Sequence, residues 1–103
     1  MITAICRYAL SPDLTREQVV ETLERGIPFY QNRVGLVRKY NCIDLERREG
    51  LGIYLWHDRQ LAEAYFDEVT PVIRDHMGSE PEVTYLDTPI VVDNVTGEVQ
   101  VAA

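Results

Sequence analysis

The sequence predicts a single α+β domain in which helices cover one face of an antiparallel sheet, with a β-hairpin at the C-terminus. Three observations lead to this prediction. The 103 residues suffice for one packed core and are too few for two, so residues 1–103 form one domain. Segments rich in β-forming residues alternate with segments whose apolar residues recur at helical spacing. The order of these segments, βαββαβ, is a split βαβ arrangement.

The first strand and the first helix are recognised by their boundaries. Residues 2–10 are rich in β-formers, and Pro12 ends the strand because it has no N–H to donate to a sheet. The helix begins at Thr15, which forms a T-x-x-Q capping box with Gln18 and precedes apolar residues at helical spacing. Gly26 predicts the end of this helix, with one further helical turn after it.

Two strands follow, at residues 34–45 and 51–57, and the short polar connection between them favours an antiparallel hairpin. Within residues 53–56, aliphatic Ile and Leu alternate with Tyr and Trp, so both faces of the sheet are apolar. Leaving a large apolar side chain in water forgoes about 1.5–3 kcal/mol. The sequence therefore predicts that a second sheet, most simply that of an identical chain, packs on the face without helices.

The second long helix begins near Asp58, and its apolar residues recur every four positions. Pro71 cannot continue a regular helix, whereas Thr70 and Pro71 suit an N-cap and the first helical position. The sequence therefore predicts a break near Thr70 and a short third helical segment that ends before Gly78.

The C-terminal 24 residues carry five acidic side chains and no basic one. They contain a predicted fourth strand at residues 82–88 and a hairpin that pairs residues 90–93 with residues 98–101. Basic side chains instead cluster in the middle of the chain, at residues 33–48. These charges are either ordinary solvated surface or a complementary contact within or between subunits.

Composition excludes several classes of partner. The net charge of −7 and the pI of about 4.7 argue against binding to nucleic acid, which needs clustered basic residues. No apolar run approaches the roughly 18 residues that span a membrane, and the first ten residues lack the features of a signal peptide. Cys6 and Cys42 have no metal-ligand spacing, so we expect buried free thiols and a cytoplasmic location.

Three segments resemble a known group of proteins. They are GLVRKY at residues 35–40, GLGIYLW at 50–56 with AEAYF at 62–66 in the helix that follows, and EVTYLDTPIVVDN at 82–94. In these segments the chain resembles the dimeric α/β-barrel superfamily of ferredoxin-like proteins, and within it a mono-oxygenase family of unassigned substrate. The resemblance covers nearly the whole chain. It implies a homodimer with one pocket in each subunit, between the sheet and the helices.

The same resemblance implies an activity. Some members of the superfamily are quinone-forming mono-oxygenases that need no flavin or metal, because a planar substrate itself supplies electrons to oxygen. It thus implies a cofactor-independent enzyme that acts on a small aromatic or polycyclic metabolite. The alternative is a non-catalytic dimer that binds a small ligand or a partner protein. Haem-degrading relatives share a late helical histidine, at His76, but the chain lacks their strand-one Asn and has Tyr65 and Phe66 where their helix has Trp.

The candidate site residues are aromatic or titratable. We expect Trp56 and His76 to be catalytic. Trp56 is one of the aromatic side chains that fit the lining of the implied pocket. His76 carries an imidazole, which exchanges protons near neutral pH, and the chain has only two histidines. The residues expected to bind substrate are Tyr40, Tyr54, Tyr65 and Phe66.

Each candidate also has a structural alternative. The aromatic residues of strand and helix are ordinary core-filling residues. His57 fits an exposed strand end, and His76 fits a helix C-terminus, where an imidazolium interacts favourably with the helix dipole. Lys39, the only lysine in the chain, fits a solvated or interfacial strand position.

Overall fold

The computed structural model describes residues 1–77 and 79–101, except for the side chain of Met77. Its elements follow the predicted order, which confirms the α+β class. In chain order they are β1 (Ile2–Ala9), α1 (Arg16–Arg25), α2 (Ile27–Tyr30), β2 (Leu36–Asp44), β3 (Glu49–Trp56), α3 (Arg59–Met77), β4 (Glu82–Asp87), β5 (Ile90–Val92) and β6 (Val99–Val101).

The main sheet has four antiparallel strands in the order β2-β3-β1-β4, which is the ferredoxin-like topology. Strand β1 lies in the middle, where Ala4 pairs with Tyr54 of β3 on one side and with Tyr85 of β4 on the other. Strands β2 and β3 form the predicted hairpin. Strands β5 and β6 pair with each other as a separate two-stranded sheet.

The core lies between the sheet and α3. It is built from alternate residues of the two central strands and from one face of the helix: Ala4, Cys6, Tyr54, Trp56, Ala62, Tyr65 and Phe66. The intervening residues Ile5, Ile53 and Leu55 point to the opposite face and are half-buried. The predicted alternation in β3 is therefore present, with the aromatic side chains under the helices.

Helix α1 begins as its sequence predicts. The hydroxyl of Thr15 accepts a hydrogen bond from the backbone N–H of Gln18 (3.2 Å), and the Gln18 side chain accepts one from the N–H of Thr15 (2.9 Å). This reciprocal pair is the capping box. Helix α1 ends at Arg25 with Gly26 as its C-cap, and the single turn of α2 follows.

Helix α3 corrects one prediction, because it continues through Pro71 without a break. Proline removes one backbone hydrogen bond and crowds the preceding turn. Val69 and Ile73 lie on either side of it and both pack against the core, so their burial favours a continuous helix. Pro71 itself is exposed, where water can solvate the freed carbonyl. The predicted stop at Gly78 lies outside the described residues.

The C-terminal hairpin lies beside β2 and β3 on the face without helices. Asp93 of the hairpin forms an ion pair with Arg38 of β2. A small cleft between the hairpin and the two strands is lined by Val37, Leu55 and Val91. The acidic C-terminal segment therefore meets the basic middle of the chain within one subunit. Among the described residues, no helix is long and apolar enough to cross a membrane.

Candidate functional site

A cavity of about 380 Å³ lies between the helix-covered face of the sheet and the three helices described above. Strands β1, β2 and β3 contribute Cys6, Lys39 and Tyr54 to its lining, while Tyr30 of α2 and His76 of α3 contribute from the helical side. Its volume falls within the range of about 300–1,000 Å³ that is typical of small-molecule sites. The cavity is therefore large enough for a small ring system.

Two glycines in β3 make room on this face of the sheet. A Cβ atom at Gly52, which lines the cavity, would lie 2.8 Å from Cε1 of Tyr54. One at Gly50 would lie 2.3 Å from Cζ of Tyr8. Both distances are shorter than real Cβ contacts, so the two tyrosine rings can lie over the strand only because these positions lack a side chain.

Tyr54 is at the centre of an aromatic cluster. Its ring stacks against Trp56 with centroids 6.2 Å apart, and meets the rings of Phe66 at 5.0 Å and Tyr65 at 5.5 Å. The hydroxyls of Tyr54 and Tyr65 are 3.4 Å apart. Burial raises the pKa of Tyr54, Tyr65 and Tyr30 above the ordinary value. These phenols therefore stay neutral at physiological pH and can donate hydrogen bonds.

Lys39 lies against this cluster. Its Nζ atom is 3.2 Å from the ring centroid of Tyr30 and 4.6 Å from that of Tyr54, its register partner in β3. Among the described residues Lys39 forms no ion pair with a carboxylate. Burial lowers its pKa from 10.5 to about 7, so a large fraction of the amine is neutral at physiological pH and can accept a proton.

Of the expected site residues, the structure brings Tyr54 and His76 to the cavity. His76 is exposed in the last turn of α3, and its Nδ1 atom is 3.1 Å from the carbonyl oxygen of Val72. Tyr65 and Phe66 are buried behind Tyr54 and belong to the core.

Trp56 and Tyr40 lie away from the cavity. Trp56 is completely buried, and its Nε1 has no hydrogen-bond partner among the residues described. Tyr40 is 54% exposed on the opposite face of the sheet, where it pairs with Ile53. Neither side chain can contact a ligand bound next to Lys39 in this arrangement.

Sequence reasoning missed Lys39, Tyr30 and Cys6 as lining residues. The polar residues of β2 alternate too weakly to show which of them face the helices, and only the pairing of Lys39 with Tyr54 settles it. Burial raises the pKa of Cys6 to about 11, so this thiol is neutral and poorly nucleophilic. Within residues 1–77 and 79–101, no cluster of three or more His, Cys, Asp or Glu side chains could hold a metal ion.

Solved structures share this fold. An antibiotic biosynthesis monooxygenase is 16% identical, with a TM-score of 0.64 over 85% of this chain and 98% of that one. The ActVA-Orf6 monooxygenase of Streptomyces coelicolor, solved in complex with Nanaomycin D, is 12% identical, with a TM-score of 0.64 over 84% of this chain and 86% of that one. The NE2512 protein of Nitrosomonas europaea, of unknown function, is 10% identical, with a TM-score of 0.66 over 84% and 87%.

No family model matches the chain, and no curated protein matches it either. The likeness to solved structures, at identities of 10–16%, therefore concerns the fold. It confirms what the resemblance of the three segments implied about architecture: the chain has the ferredoxin-like fold of the antibiotic biosynthesis monooxygenases.

Proposed function

We propose that the protein is a cofactor-independent mono-oxygenase that oxidises a small planar aromatic molecule in the cavity beside Lys39. The observation that carries the proposal is an apolar cavity in which a proton-accepting amine lies against the rings of Tyr30 and Tyr54. The fold adds support, because the Streptomyces coelicolor monooxygenase of the same fold was solved with a small-molecule ligand.

The proposed reaction needs three contributions from the chain. Flat aromatic walls position a ring by stacking, and the apolar lining displaces water from the ring faces that it contacts. A base removes a proton from the substrate, which makes the ring electron-rich enough to reduce dioxygen. One oxygen atom then enters the ring as a carbonyl. The other leaves as water with the proton that the base removed and the hydrogen of the oxidised ring carbon. Lys39 and His76 are the cavity residues that can exchange protons in these steps.

We also propose that the protein is a homodimer. The sheet face without helices exposes Tyr40 (54%), Leu86 (47%) and Val37 (38%), next to half-buried Ile5 and Ile53. Pairing this face with that of a second copy would remove these apolar side chains from water. Sedimentation at neutral pH is then expected to yield twice the chain mass of 11.8 kDa. A cytoplasmic location belongs to the same proposal, because both cysteines are free thiols.

The activity is tested with a panel of hydroquinones and anthrones, by following oxygen uptake and product absorbance together. We expect a rate above the uncatalysed oxidation for at least one compound, and a loss of that rate in K39M. V95A is the control, because Val95 is 96% exposed in the hairpin turn and does not line the cavity. No rate above background across the panel would contradict the proposed activity.

The second candidate function is a non-catalytic dimer that binds a small ligand. The burial of Trp56, one of the two residues expected to be catalytic, favours this candidate. It predicts that panel compounds bind with the same affinity in the presence and absence of oxygen and are recovered unchanged.

A further inference from the structure

The cavity is lined by basic side chains and by no acidic one, although the chain as a whole is acidic. The chain has 17 acidic and 10 basic residues, yet Arg25, Lys39 and His76 line the cavity and no carboxylate among the described residues does so. Arg25 also pairs with Glu21 on the exposed surface of α1, at 3.0 Å. A cavity with basic side chains and no acidic one favours a ligand that is acidic or anionic.

Lys39 differs from the other two basic residues in its surroundings. Arg25 and His76 are exposed, whereas Lys39 is half-buried between aromatic rings. Ring faces attract an ammonium group, but Tyr30 and Tyr54 are neutral and cannot replace the water that the amine has lost. The protonated form of Lys39 therefore lacks a counter-ion in the described structure, and a bound anion would supply one.

We propose that Lys39 takes the proton from an acidic hydroxyl of a flat ring ligand, a phenol or a ring enol, and holds the ionised oxygen in the cavity. The O–H bond of the ligand breaks, an N–H bond forms at Nζ, and the electron pair stays on oxygen, so nothing is oxidised in this step. The proposal rests on the proposed function, because it names the substrate class of the same cavity and the step that precedes electron transfer to dioxygen.

The other titratable groups that face the cavity supply no negative charge beside Lys39. They are Cys6 and Tyr8 of β1, Tyr54 of β3, Tyr30 of α2, Arg25 of α1 and His76 of α3. Burial raises the pKa of Cys6 to about 11 and that of Tyr8 to about 12, so neither is an anion at neutral pH. An ionised ligand oxygen would then be the only negative charge beside Lys39 in the described cavity.

The first experiment uses 4-nitrophenol, whose ionised form absorbs visible light and which dioxygen does not oxidise. At a pH at which the free probe is mostly un-ionised, we expect binding to the protein to produce the nitrophenolate band. K39M should abolish this band and weaken binding by about 10- to 100-fold, the size of a charge-assisted hydrogen bond. V95A, at a residue that is 96% exposed in the hairpin turn, should leave both unchanged.

A second variant separates proton transfer from fixed charge. K39R keeps the positive charge but cannot give up its proton. At an alkaline pH where the free probe is already ionised, the natural protein should take up one proton on binding, measured by calorimetry in buffers of different ionisation enthalpy. K39R should take up none, whereas a merely structural role for Lys39 predicts the same proton uptake in both.

Three outcomes would overturn the proposal: no binding of the probe, no nitrophenolate band at saturation, or an equal band in K39M. The failure of the proposed function is distinguishable from these. Absence of oxygen uptake with the aromatic panel, together with an intact nitrophenolate band, would reject the oxidation and retain the proton transfer to Lys39.

Discussion

The two faces of the sheet are made by the same strands and differ in what covers them. Under the helices, Cys6 and Tyr54 are at most 3% exposed, and the cavity opens beside them. On the other face, Ile53 is half-buried, and Tyr40 and Leu86 are about half exposed. The comparison separates two proposed tasks: the covered face combines a core with the cavity proposed to bind a ligand, and the other face offers the apolar surface that we propose a second subunit covers.

Neighbouring residues of β3 allow the sharpest test of this difference. W56A empties a fully buried position of the covered face and should lower the free energy of unfolding by about 3–5 kcal/mol. L55A removes a half-buried side chain from the other face and should cost under about 2 kcal/mol. Urea denaturation at concentrations too low for the proposed dimer to form measures both, and equal losses would mean that the two faces are equally buried within one chain.

The uncovered face is tested through assembly. I53K places a charge in the centre of the proposed dimer interface and should weaken association by about 100-fold, which corresponds to about 3 kcal/mol. Analytical ultracentrifugation should then show a mass of 11.8 kDa. V95K adds the same charge at a residue that is 96% exposed in the hairpin turn and should remain dimeric. A dimer that survives I53K would place the interface elsewhere.

The covered face should also make stability depend on pH. The pKa of Lys39 is about 7 in the folded chain and about 10.5 when it is solvated, so between these values the unfolded chain binds a proton that the folded chain does not. Stability should therefore rise as the pH increases from 7 to about 9.5. Above about pH 10 the buried tyrosines reverse this trend, because their pKa values are raised by folding.

Urea midpoints measured between pH 6.5 and 9.5 test this dependence. K39M removes the titrating group and should flatten the rise of stability with pH. K39R should stay charged throughout the range, so the cost of burying that charge should not change with pH. A rise of equal size in K39M would show that another group is responsible.

The smallest effect concerns a single hydroxyl on each face. Y54F removes the buried hydroxyl 3.4 Å from that of Tyr65 and should lower the free energy of unfolding by about 1 kcal/mol. Y40F removes an exposed hydroxyl and should change it by less than about 0.5 kcal/mol. Thermal unfolding of the two variants side by side checks the difference, and equal losses would count against the assigned facing of β2.

Local signals predicted most of the fold because each of them has a local cause. The capping box needs only Thr15 and Gln18, and the alternation in β3 follows from the pleat of one strand. Pro71 predicts a break because its local penalty is visible in the sequence. The helix continues because Val69 and Ile73 around it pack against the core, and their burial depends on the tertiary structure.

The candidate site was harder to predict because it depends on the facing of β2. That strand has polar residues on both faces and a register irregularity between Leu36 and Arg38. Nothing within β2 shows that Lys39, rather than Tyr40, points toward the helices. The register between β2 and β3 determines which of the two faces the helices, and this register cannot be predicted from the residues of either strand alone.

The glycines of β3 link two properties of the cavity. Its space depends on the side chain that Gly52 lacks, and its proposed proton chemistry depends on Lys39 of the neighbouring strand. One added carbon at position 52 would displace the ring of Tyr54, against which the amine of Lys39 lies at 4.6 Å. A change of cavity size at this position therefore also changes the surroundings that lower the pKa of Lys39, and the rates of G52A on rings of graded size, measured across pH, should show both effects together.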